Sequence, residues 1–400
     1  MTDEQRPLTG LRVIDAATLA AGPLIATWLG EYGAEVIKVE QPDGGDPLRQ
    51  WGAQRDGVGL MWKSLGRNKK CVTLNLREEA GRDLLRRLAA GADVVVLNLR
   101  PSTLERWGLD HAGFAVANPG IVMVHVTGYG AGGPKSDRPG FGTLGEAMSG
   151  FAHLTGTPDG PPTLPSFMLA DGVAALNATY AVMMALYHRD VHGGPGQLID
   201  VNLIEPLARL LEQQVLTFDQ LGTVPTRTGN RWDISAPRNT YLTKDGHWIA
   251  MSGSAPSIAM RALRAVGRPE LTTDPKFAEA QQRLANAPEI DAIMADWVRE
   301  HTLDDAMAVF EAADVAAAPV YDAAQLLEDP QLQARGTYPR IADPQLGSMT
   351  VQAPVPRLSV TPGAIDHLGA EIGEHNDDVY GGLLGLSAER MRELREQGVI

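Results

Sequence analysis

The sequence predicts an α/β protein with a mostly parallel, doubly wound sheet and a second, smaller α+β domain. Three observations carry this prediction. Short β-branched runs alternate with helical periods in the N-terminal part of the chain, which is the pattern of parallel strands joined by crossover helices. A long apolar helix follows them. The 400 residues also exceed the usual size of a single hydrophobic core, so two domains are expected.

The large domain is expected to hold most of the strands. A short apolar strand at 11–15 is followed by a small-residue turn at 20–23, an amphipathic helix that ends near Tyr32, and the β-branched strand Glu35–Glu40. Residues 169–189 form a long helix whose apolar character nearly all round predicts deep burial. Further strands are expected at 71–76, 94–98, 121–126 and 197–203, with a helix at 78–90.

A polar, turn-rich segment at 223–236 marks the expected passage to the smaller domain. That domain is expected to contain a strand at 247–251 and helices at 256–266, 288–300 and 303–313. We therefore divide the chain into a large domain at 1–224, a small domain at 225–330 and a C-terminal segment at 331–400. The last segment, which carries several prolines and a helix at 387–397, is expected to return to the large domain.

Composition and charge restrict the class of protein. The formal net charge of −14 argues against a nucleic-acid binder, which needs a basic face. No apolar run approaches the ~20 residues that cross a bilayer, and the polar start of the chain lacks the apolar core of a signal peptide. The single cysteine, Cys71, cannot form an internal disulfide. We expect a cytoplasmic protein without a nucleic-acid or membrane partner.

The common cofactor and nucleophile motifs are missing from the sequence. The turn after the first strand offers only Gly22 and Gly30, without the G-x-G-x-x-G spacing of dinucleotide-binding folds. There is no Gly-x-Ser-x-Gly elbow and no Walker-type phosphate loop. The nine histidines are scattered along the chain, and we interpret none of them as a metal ligand. We expect no metal and no permanently bound cofactor, and carboxylates remain as candidates for chemistry.

Asp171 is the carboxylate that the sequence singles out, because it lies where the apolar stretch 166–172 turns into the long helix. An acidic group among Phe, Met and Leu is costly unless it is paired or functional. Its simplest role is that of an N-cap, which accepts the free N–H groups of the first helical turn. A helix N-terminus equally stabilises a reactive carboxylate. From the residues alone both roles stay open, and the cap is the more common one.

Two segments that follow strands are candidates for ligand binding, since ligands of open α/β sheets sit at strand ends. One is the glycine-rich stretch 128–134, and the other contains Arg100 and Arg106. Arginines of this kind can bind a phosphate even on an acidic protein, because the local electrostatic field, and not the net charge of the whole protein, governs the binding of a small anion. Glycine-rich stretches are often only flexible turns, however, and single surface arginines usually bind nothing.

Ordered blocks of residues run along nearly the whole chain. The opening block spans 10–49 and includes Ala21-Gly22-Pro23 and Gly33-Ala34-Glu35. Further blocks lie at 68–76, 98–108, 128–130, 193–200, 329–336 and 373–400. Together they resemble the family III CoA-transferases, also called the CaiB/BaiF family.

The resemblance implies a fold, a partner and a site. It implies a protomer with a Rossmann-like large domain built from both ends of the chain, and an interlocked homodimer. Asp171 matches the catalytic aspartate of that family. Coenzyme A and acyl-CoA are then substrates and a free carboxylic acid is the other partner. The residues implied in CoA binding are Leu74, Asn75, Arg77, Asn98, Leu99, Arg100, Arg106, Thr127, Gly128, Tyr129 and Gly130.

A carboxylate suits the reaction that the resemblance implies. Asp171 would attack the acyl carbon of the thioester to give a mixed anhydride and CoA thiolate. The thiolate would then attack the aspartyl carbonyl, free the first acid and leave an enzyme thioester, and the acceptor acid would reverse the sequence. An unperturbed aspartate, with a pKa of about 3.9, needs no base at neutral pH.

The α-methylacyl-CoA racemases of the same fold offer a different reaction, in which a histidine and the equivalent aspartate move an α-proton. The histidine is expected in a Gly-His-Asp motif after the glycine-rich stretch, where this chain has Gly140-Phe141-Gly142. Phe141 cannot transfer a proton, and the position of His153 does not match. The sequence therefore favours the transferase, and a CoA-binding protein without catalysis is a third class.

Departures from the formyl-CoA transferases of the family bear on the substrate. Thr18 and Ala20 stand where those enzymes carry larger polar CoA contacts, and Gln41 stands where a basic residue is expected. The small-domain glycine loop is reduced, here at 252–256. These differences argue against oxalate as the acceptor, and we expect Arg49 or Lys70 to hold the adenine or phosphate end of CoA.

Overall fold

The computed structural model describes residues 6–400, so most of the polar N-terminal stretch lies outside the described residues. The chain divides into two compact units. The larger one comprises the described part of Met1–Phe151 together with Leu164–Gln220 and Ala334–Ile400. The smaller one comprises Ala152–Thr163 and Leu221–Gln333. The two boundaries expected at 224 and 330 lie near those at 220 and 333, whereas no sequence signal marks the segment 152–163.

The larger unit is built on a six-stranded parallel sheet in the order β5-β2-β1-β6-β7-β8. A short hairpin, β3–β4, lies apart from this sheet. The order reverses between β1 and β6, and such a switch point is where open α/β sheets bind ligands. In chain order the strands are β1 Arg12–Asp15, β2 Glu35–Glu40, β3 Gln54–Arg55, β4 Val58–Gly59, β5 Lys69–Thr73, β6 Val94–Leu97, β7 Val122–Thr127 and β8 Leu198–Asn202.

Helices cover both faces of the parallel sheet. In chain order, the helices as far as Leu221 are α1 Ala21–Glu31, α2 Leu60–Leu65, α3 Glu79–Ala90, α4 Pro101–Trp107, α5 His111–Ala115, α6 Gly142–Met148, α7 Phe151–Leu154, α8 Leu169–His192, α9 Glu205–Leu210 and α10 Glu212–Leu221. All of α7 except Phe151 belongs to the smaller unit. Alternate strand residues point to opposite faces. Ile14 and Val95 belong to the core cluster that includes α3, and Val13 and Val96 belong to the cluster that includes α1 and α8. The α/β class with a parallel sheet is thus confirmed.

One strand differs in position from the sequence-based expectation. The strand expected at 71–76 runs instead over Lys69–Thr73. The polar Lys69 gave no strand signal, but its buried amine lies 2.9 Å from the Asp15 carboxylate and donates to Pro23 O at 2.7 Å. A paired lysine can occupy a buried strand. Leu74 and Asn75 therefore follow the strand.

Helix α8 is longer and less buried than expected. It continues to His192 and ends at Gly193, whose φ of +65° gives a left-handed C-cap. Ala174, Ala178 and Val182 face the sheet. The prediction that this helix is buried on all sides is wrong for the single chain, because only one face of the helix packs against this core.

Helix α8 is also the one helix of residues 6–400 that is long and apolar enough, by length and composition alone, to cross a membrane. A core helix passes the same test, and 44% of its apolar window is buried. We interpret it as a core helix because Ala174, Ala178 and Val182 pack in the core cluster of the large sheet.

The smaller unit contains a three-stranded antiparallel sheet in the order β11-β10-β9. Its strands are β9 Arg238–Leu242, β10 Trp248–Ser252 and β11 Ala317–Pro319. The helices of this part are α11 Pro256–Ala265, α12 Ala280–Ala285, α13 Ala287–Arg299, α14 Leu303–Ala312, α15 Ala323–Glu328 and α16 Pro330–Ala334. The three helices expected from the sequence correspond to α11, α13 and α14, and the strand expected at 247–251 corresponds to β10.

The C-terminal residues return to the edge of the large sheet at β5. They form the hairpin strands β12 Arg340–Asp343 and β13 Gly347–Thr350, a π-helix at Asp377–Leu383 and α17 Ala388–Glu396. Thr73 N donates to Asn376 Oδ1 at 2.9 Å, and Tyr380 OH donates to Thr73 O at 2.7 Å. Asn75 N donates to Val399 O at 2.8 Å. These bonds attach the tail to the end of β5.

Candidate active site

A cavity of about 250 Å³ lies at the switch point of the large sheet. The segments after β1, β6 and β7 and the start of α8 form its walls. Its lining residues are Thr18, Leu19, Ala20, Ala21, Asn98, Leu99, Arg100, Pro101, Val126, Thr127, Gly128, Ser136, Arg138, Pro139, Gly140, Phe141, Asp171 and Leu203. All belong to the larger unit.

Reciprocal hydrogen bonds join the two segments that flank the switch point. Thr18 N donates to Asn98 Oδ1 at 3.1 Å, and Asn98 Nδ2 donates to Thr18 O at 2.9 Å. On the other side, His125 Nε2 of β7 lies 2.7 Å from Leu99 O. The segment that contains Asn98 and Leu99 is therefore fixed from both neighbouring strands.

A buried charge network holds the segment after β1. Leu19 adopts a left-handed φ of +67°, which is unfavourable for a branched side chain, and its N–H donates to Asp46 Oδ1 at 3.0 Å. The other oxygen of Asp46 lies 2.8 Å from Lys38 Nζ, and both side chains are fully buried. Burial would raise the pKa of Asp46, but Lys38 together with the backbone N–H groups of Leu48 and Leu19 holds that pKa below its usual value. The network thus fixes the backbone next to Ala21.

Asp171 lies in the first turn of α8, after the N-cap residue Met168, which makes no side-chain cap bond. The interpretation of Asp171 as the N-cap is therefore wrong. Its half-buried carboxylate lines the cavity, and the backbone N–H groups of Asp171 and Ala21 favour its ionised form. The positive end of the helix dipole points at this carboxylate. The arrangement orients the group without neutralising it with a cation.

The pKa of Asp171 is raised, so the expectation of an unperturbed aspartate is wrong. Burial is the largest cause, and the carboxylate of Glu146 raises the pKa further. The two backbone N–H groups oppose this shift. An ionised carboxylate in such surroundings is poorly solvated and basic, which favours attack on an electrophilic carbon.

Two residues of α6 that the sequence did not single out surround Asp171. A Cβ atom on Gly142 would lie 2.2 Å from Asp171 Oδ2, so the carboxylate occupies the space that a side chain at 142 would take. Glu146 is 3% exposed and its Oε1 accepts the N–H of Ala170 at 3.3 Å. The sequence offered two weak signals for these residues. One was a glycine in the stretch 139–142, and the other was an acidic residue on a short apolar helix.

Six of the twelve residues expected in the site line the cavity: Asn98, Leu99, Arg100, Thr127, Gly128 and Asp171. Gly130 adjoins it, because Gly130 N donates to Thr127 Oγ1 at 2.9 Å. Tyr129 instead carries Lys135 Nζ at 5.9 Å above its ring.

The other expected CoA contacts lie outside this cavity. Leu74 is buried in the core. The side chain of Asn75 accepts from Arg77 N at 3.1 Å, and Arg77 is exposed. Arg106 is an exposed residue of α4 whose guanidinium lies 6.0 Å from the ring of Trp107. The structure therefore leaves the CoA-binding role of these four a prediction.

The two residues suggested for the adenine or phosphate end of CoA form ion pairs within the fold. Arg49 forms a two-bond pair with Glu40, with both N–O distances 2.7 Å, and stacks 3.7 Å over the ring of Trp62. Lys70 pairs with Glu35 at 2.6 Å. Glu35 begins β2, so Lys70 lies at the amino end of the strands, opposite the cavity. Both cations already have carboxylate partners within the fold, and their role in CoA binding stays a prediction.

The wall of the cavity that follows β7 contributes charge and shape to it. Arg138 and Ser136 lie on the wall after β7. Phe141 lines the same wall with 57% of its surface exposed. Among residues 6–400, no histidine lines this cavity, and no group of three or more His, Cys, Asp and Glu side chains could hold a metal ion.

Comparison with known proteins gives one consistent result. The profile of CoA-transferase family III matches residues 8–376. The succinyl-CoA–D-citramalate CoA-transferase of Chloroflexus aurantiacus is 40% identical over 396 residues, which cover 99% of this chain and 98% of that protein. The succinyl-CoA–L-malate CoA-transferase beta subunit of the same organism is 40% identical over 398 residues, 98% of each chain. The crystal structure of a CaiB/BaiF family protein from Brucella suis superposes with a TM-score of 0.83 at 31% identity, covering 95% of this chain and all of that one.

Proposed function

The chain belongs to CoA-transferase family III and is a CoA-transferase, and we propose that it moves CoA between dicarboxylic acids through covalent intermediates on Asp171. The observation that carries the proposal is the position of this carboxylate. It is half-buried, lines the cavity at the switch point and lacks a balancing cation. It is therefore both accessible to a ligand and poorly solvated.

The proposed reaction begins with attack by Asp171 on the acyl carbon of the donor thioester. The new C–O bond forms as the C–S bond breaks, and the electron pair leaves with CoA sulfur. Backbone N–H groups at the start of α8 and at Ala21 stabilise the negative charge that develops on oxygen. The thiolate then attacks the aspartyl carbonyl and releases the donor acid, which leaves Asp171 as a CoA thioester. The acceptor carboxylate repeats both steps in reverse order.

Two observations support an anionic, dicarboxylic substrate pair. Arg100 and Arg138 give the cavity positive charge, which suits a polyanionic thioester. The similar proteins of Chloroflexus aurantiacus are named for succinyl-CoA with D-citramalate or L-malate. We propose succinyl-CoA or a close analogue as donor and a short dicarboxylic acid as acceptor.

The racemase alternative lacks an observation in its favour. Such a reaction needs a second proton carrier opposite Asp171, and Phe141 stands at that wall of the cavity. His153 belongs to the smaller unit, where its Nε2 lies 3.1 Å from Pro225 O. Incubation of a chiral 2-methylacyl-CoA in deuterated water without an acceptor acid distinguishes the two reactions. We expect no exchange of the α-proton, and rapid exchange would favour the racemase.

We also propose that the protein is a homodimer, as the family resemblance implies. One stripe of α8 carries large apolar side chains at helical spacing, all more than half exposed: Leu176, Tyr180, Met184, Tyr187 and Val191. Contiguous apolar surface of this kind marks an interface. A second copy of the chain is the occupant we propose. A cytoplasmic location stays a prediction, and the free buried thiol of Cys71 is compatible with it.

The test of the proposed function is a transfer assay with defined donors and acceptors. Succinyl-CoA is mixed with D-citramalate, L-malate, glutarate, oxalate or acetate, and new CoA esters are identified by mass spectrometry. We expect transfer to the C4 and C5 dicarboxylic acids and none by Asp171→Ala. Asp43→Ala removes an exposed carboxylate and is the matched control. Full activity of Asp171→Ala would contradict the mechanism, and acetate as the best acceptor would contradict the substrate class.

A further inference from the structure

A second carboxylate, Glu146, lies against the start of helix α8. It is on α6, 3% of its surface is exposed, and its Oε1 accepts the N–H of Ala170 at 3.3 Å. Ala170 directly precedes Asp171 in the first turn of α8. The N-cap residue Met168 makes no side-chain bond to this turn. Glu146 therefore supplies, from a different helix, the acceptor that the turn requires.

Two carboxylates thus meet at one helix N-terminus. Among the described residues, Glu146 is the charged group that acts on Asp171, and it acts by repulsion. Buried acids are normally paired with a cation, because an unpaired buried charge costs folding free energy. An amide side chain at 146 would accept the Ala170 N–H without this cost. The hydrogen bond to Ala170 therefore does not explain why residue 146 is an acid.

We propose that Glu146 is a positioning residue for CoA transfer, whose negative charge destabilises the free carboxylate of Asp171 and so favours the covalent forms. The inference rests on the proposed function, because it requires Asp171 to be the nucleophile. When Asp171 attacks the acyl carbon, its negative charge leaves with the electron pair on CoA sulfur. In the anhydride and in the CoA thioester, Asp171 is neutral. Both covalent stages relieve the repulsion, which is stronger in a partly buried site than in water.

The hydrogen bond to Ala170 gives this effect a fixed geometry. Because the backbone of α8 and the side chain of Glu146 are joined, the two carboxylates cannot separate freely to reduce their repulsion. Gly142, one turn earlier on α6, has its Cβ position filled by Asp171 Oδ2. Helix α6 therefore contacts Asp171 sterically at Gly142, and one turn later it places the charge of Glu146 near the same carboxylate.

Other charged groups surround the two carboxylates at greater remove. Arg100 and Arg138 line the open side of the cavity. The buried groups on neighbouring elements have partners of their own: Glu31 pairs with Arg67, and His125 contacts Leu99 O. The charged residues carried by elements packed on α8 are Glu31 of α1, His125 of β7, Asp200 of β8, and Glu205 and Arg209 of α9.

The test compares Glu146→Gln with the matched control Glu205→Gln, which removes an exposed glutamate from α9. The glutamine amide oxygen can still accept the Ala170 N–H. We expect kcat to fall about tenfold, which equals about 1.4 kcal/mol of barrier, while the KM for the donor changes little. The fraction of enzyme that carries covalent CoA, measured by intact mass with donor alone, is expected to fall as well. The acid limb of the kcat/KM profile moves to lower pH, because removal of the negative charge lowers the pKa of Asp171.

A purely structural role for Glu146 would leave the acid limb and the covalent fraction unchanged, and that result overturns the inference. If Glu146→Gln does not fold, the uncharged Glu146→Met replaces it, and a wild-type acid limb in that variant has the same meaning. Failure of the proposed function looks different. In that case the wild-type enzyme itself carries no adduct on Asp171.

Discussion

Replacement of Gly142 by alanine is expected to move the reactive carboxylate and leave the fold in place. A Cβ atom at this position would lie 2.2 Å from Asp171 Oδ2, whereas ordinary van der Waals contact begins at 3.4 Å. The oxygen must retreat by about 1.2 Å, the difference between these distances. It can do so by rotation of the Asp171 side chain, because the colliding atom is at the end of that side chain.

The displacement of the Asp171 carboxylate predicts a slower turnover. Misplacement of a catalytic group by about 1 Å costs roughly 100-fold in turnover, which corresponds to about 2.7 kcal/mol at 1.36 kcal/mol per factor of ten. We expect kcat of Gly142→Ala to fall about 100-fold with a nearly unchanged KM for acyl-CoA. Thermal stability is not expected to fall, since alanine is a better helix former than glycine by about 1 kcal/mol.

The assay measures steady-state transfer from succinyl-CoA together with thermal unfolding of each variant. Gly382→Ala is the matched control, because its Cβ position has open space and it lies in the helical part of the C-terminal tail. A value of kcat for Gly142→Ala close to that of the control would refute the reasoning. So would a loss of kcat that is matched by unfolding.

Three further predictions concern the charge balance and the exposed face of α8. Asp171→Asn abolishes transfer, to below about one-thousandth of the wild-type rate, and raises the free energy of unfolding at neutral pH by about 0.5–2 kcal/mol. Because the folded-state pKa of Asp171 is raised, its carboxyl destabilises the fold only as pH rises above the unfolded value of about 3.9. Denaturation at several pH values should therefore show the gain disappear below about pH 4. Asp46→Asn leaves buried Lys38 with only the more distant carboxylate of Asp15, at 3.7 Å, and lowers the free energy of unfolding by about 3 kcal/mol. Met184→Glu is expected to shift the mass in light scattering from dimer to monomer, because it places a charge in an apolar interface.

The controls for these three predictions differ. Asp43→Asn removes an exposed carboxylate and should match the wild type in stability and rate. For the α8 face, Asp190→Asn changes an exposed polar residue near the end of the same helix and should leave the mass unchanged. A monomeric wild-type protein would contradict the homodimer proposal, and equal stability of Asp171→Asn and wild type at pH 7 would contradict the direction of the pKa shift.

Much of the fold follows from local pattern. The strand Glu35–Glu40 and helices such as α11 and α14 lie at or within one residue of their expected bounds, because β-branched runs and helical periods are local signals. The positions of Lys69 and of β9 and β11 depend on long-range pairing. A buried lysine is acceptable only beside Asp15, and the sequence does not state which carboxylate it will meet.

The sequence led to Asp171, the proposed nucleophile, but not to most of the residues that surround it. Asp171 was found through an ordered set of resembling blocks, while its local chemistry pointed to an N-cap that the structure assigns to Met168. Gly142 and Glu146 carry only weak signals in the sequence, because their importance comes from the packing of α6 on the start of α8. The pairing of Arg49 with Glu40 was not predictable either, since it is a tertiary contact.

The most direct test of the account is the chemical state of Asp171 during turnover. The enzyme is mixed with succinyl-CoA in the absence of an acceptor, one half is quenched in acid and the other is treated with hydroxylamine, and peptides are analysed by mass spectrometry. The account predicts CoA on the peptide that contains Asp171 in the first sample and a hydroxamate at Asp171, with loss of activity, in the second. An enzyme that transfers CoA at full rate while Asp171 stays unmodified in both samples would contradict it.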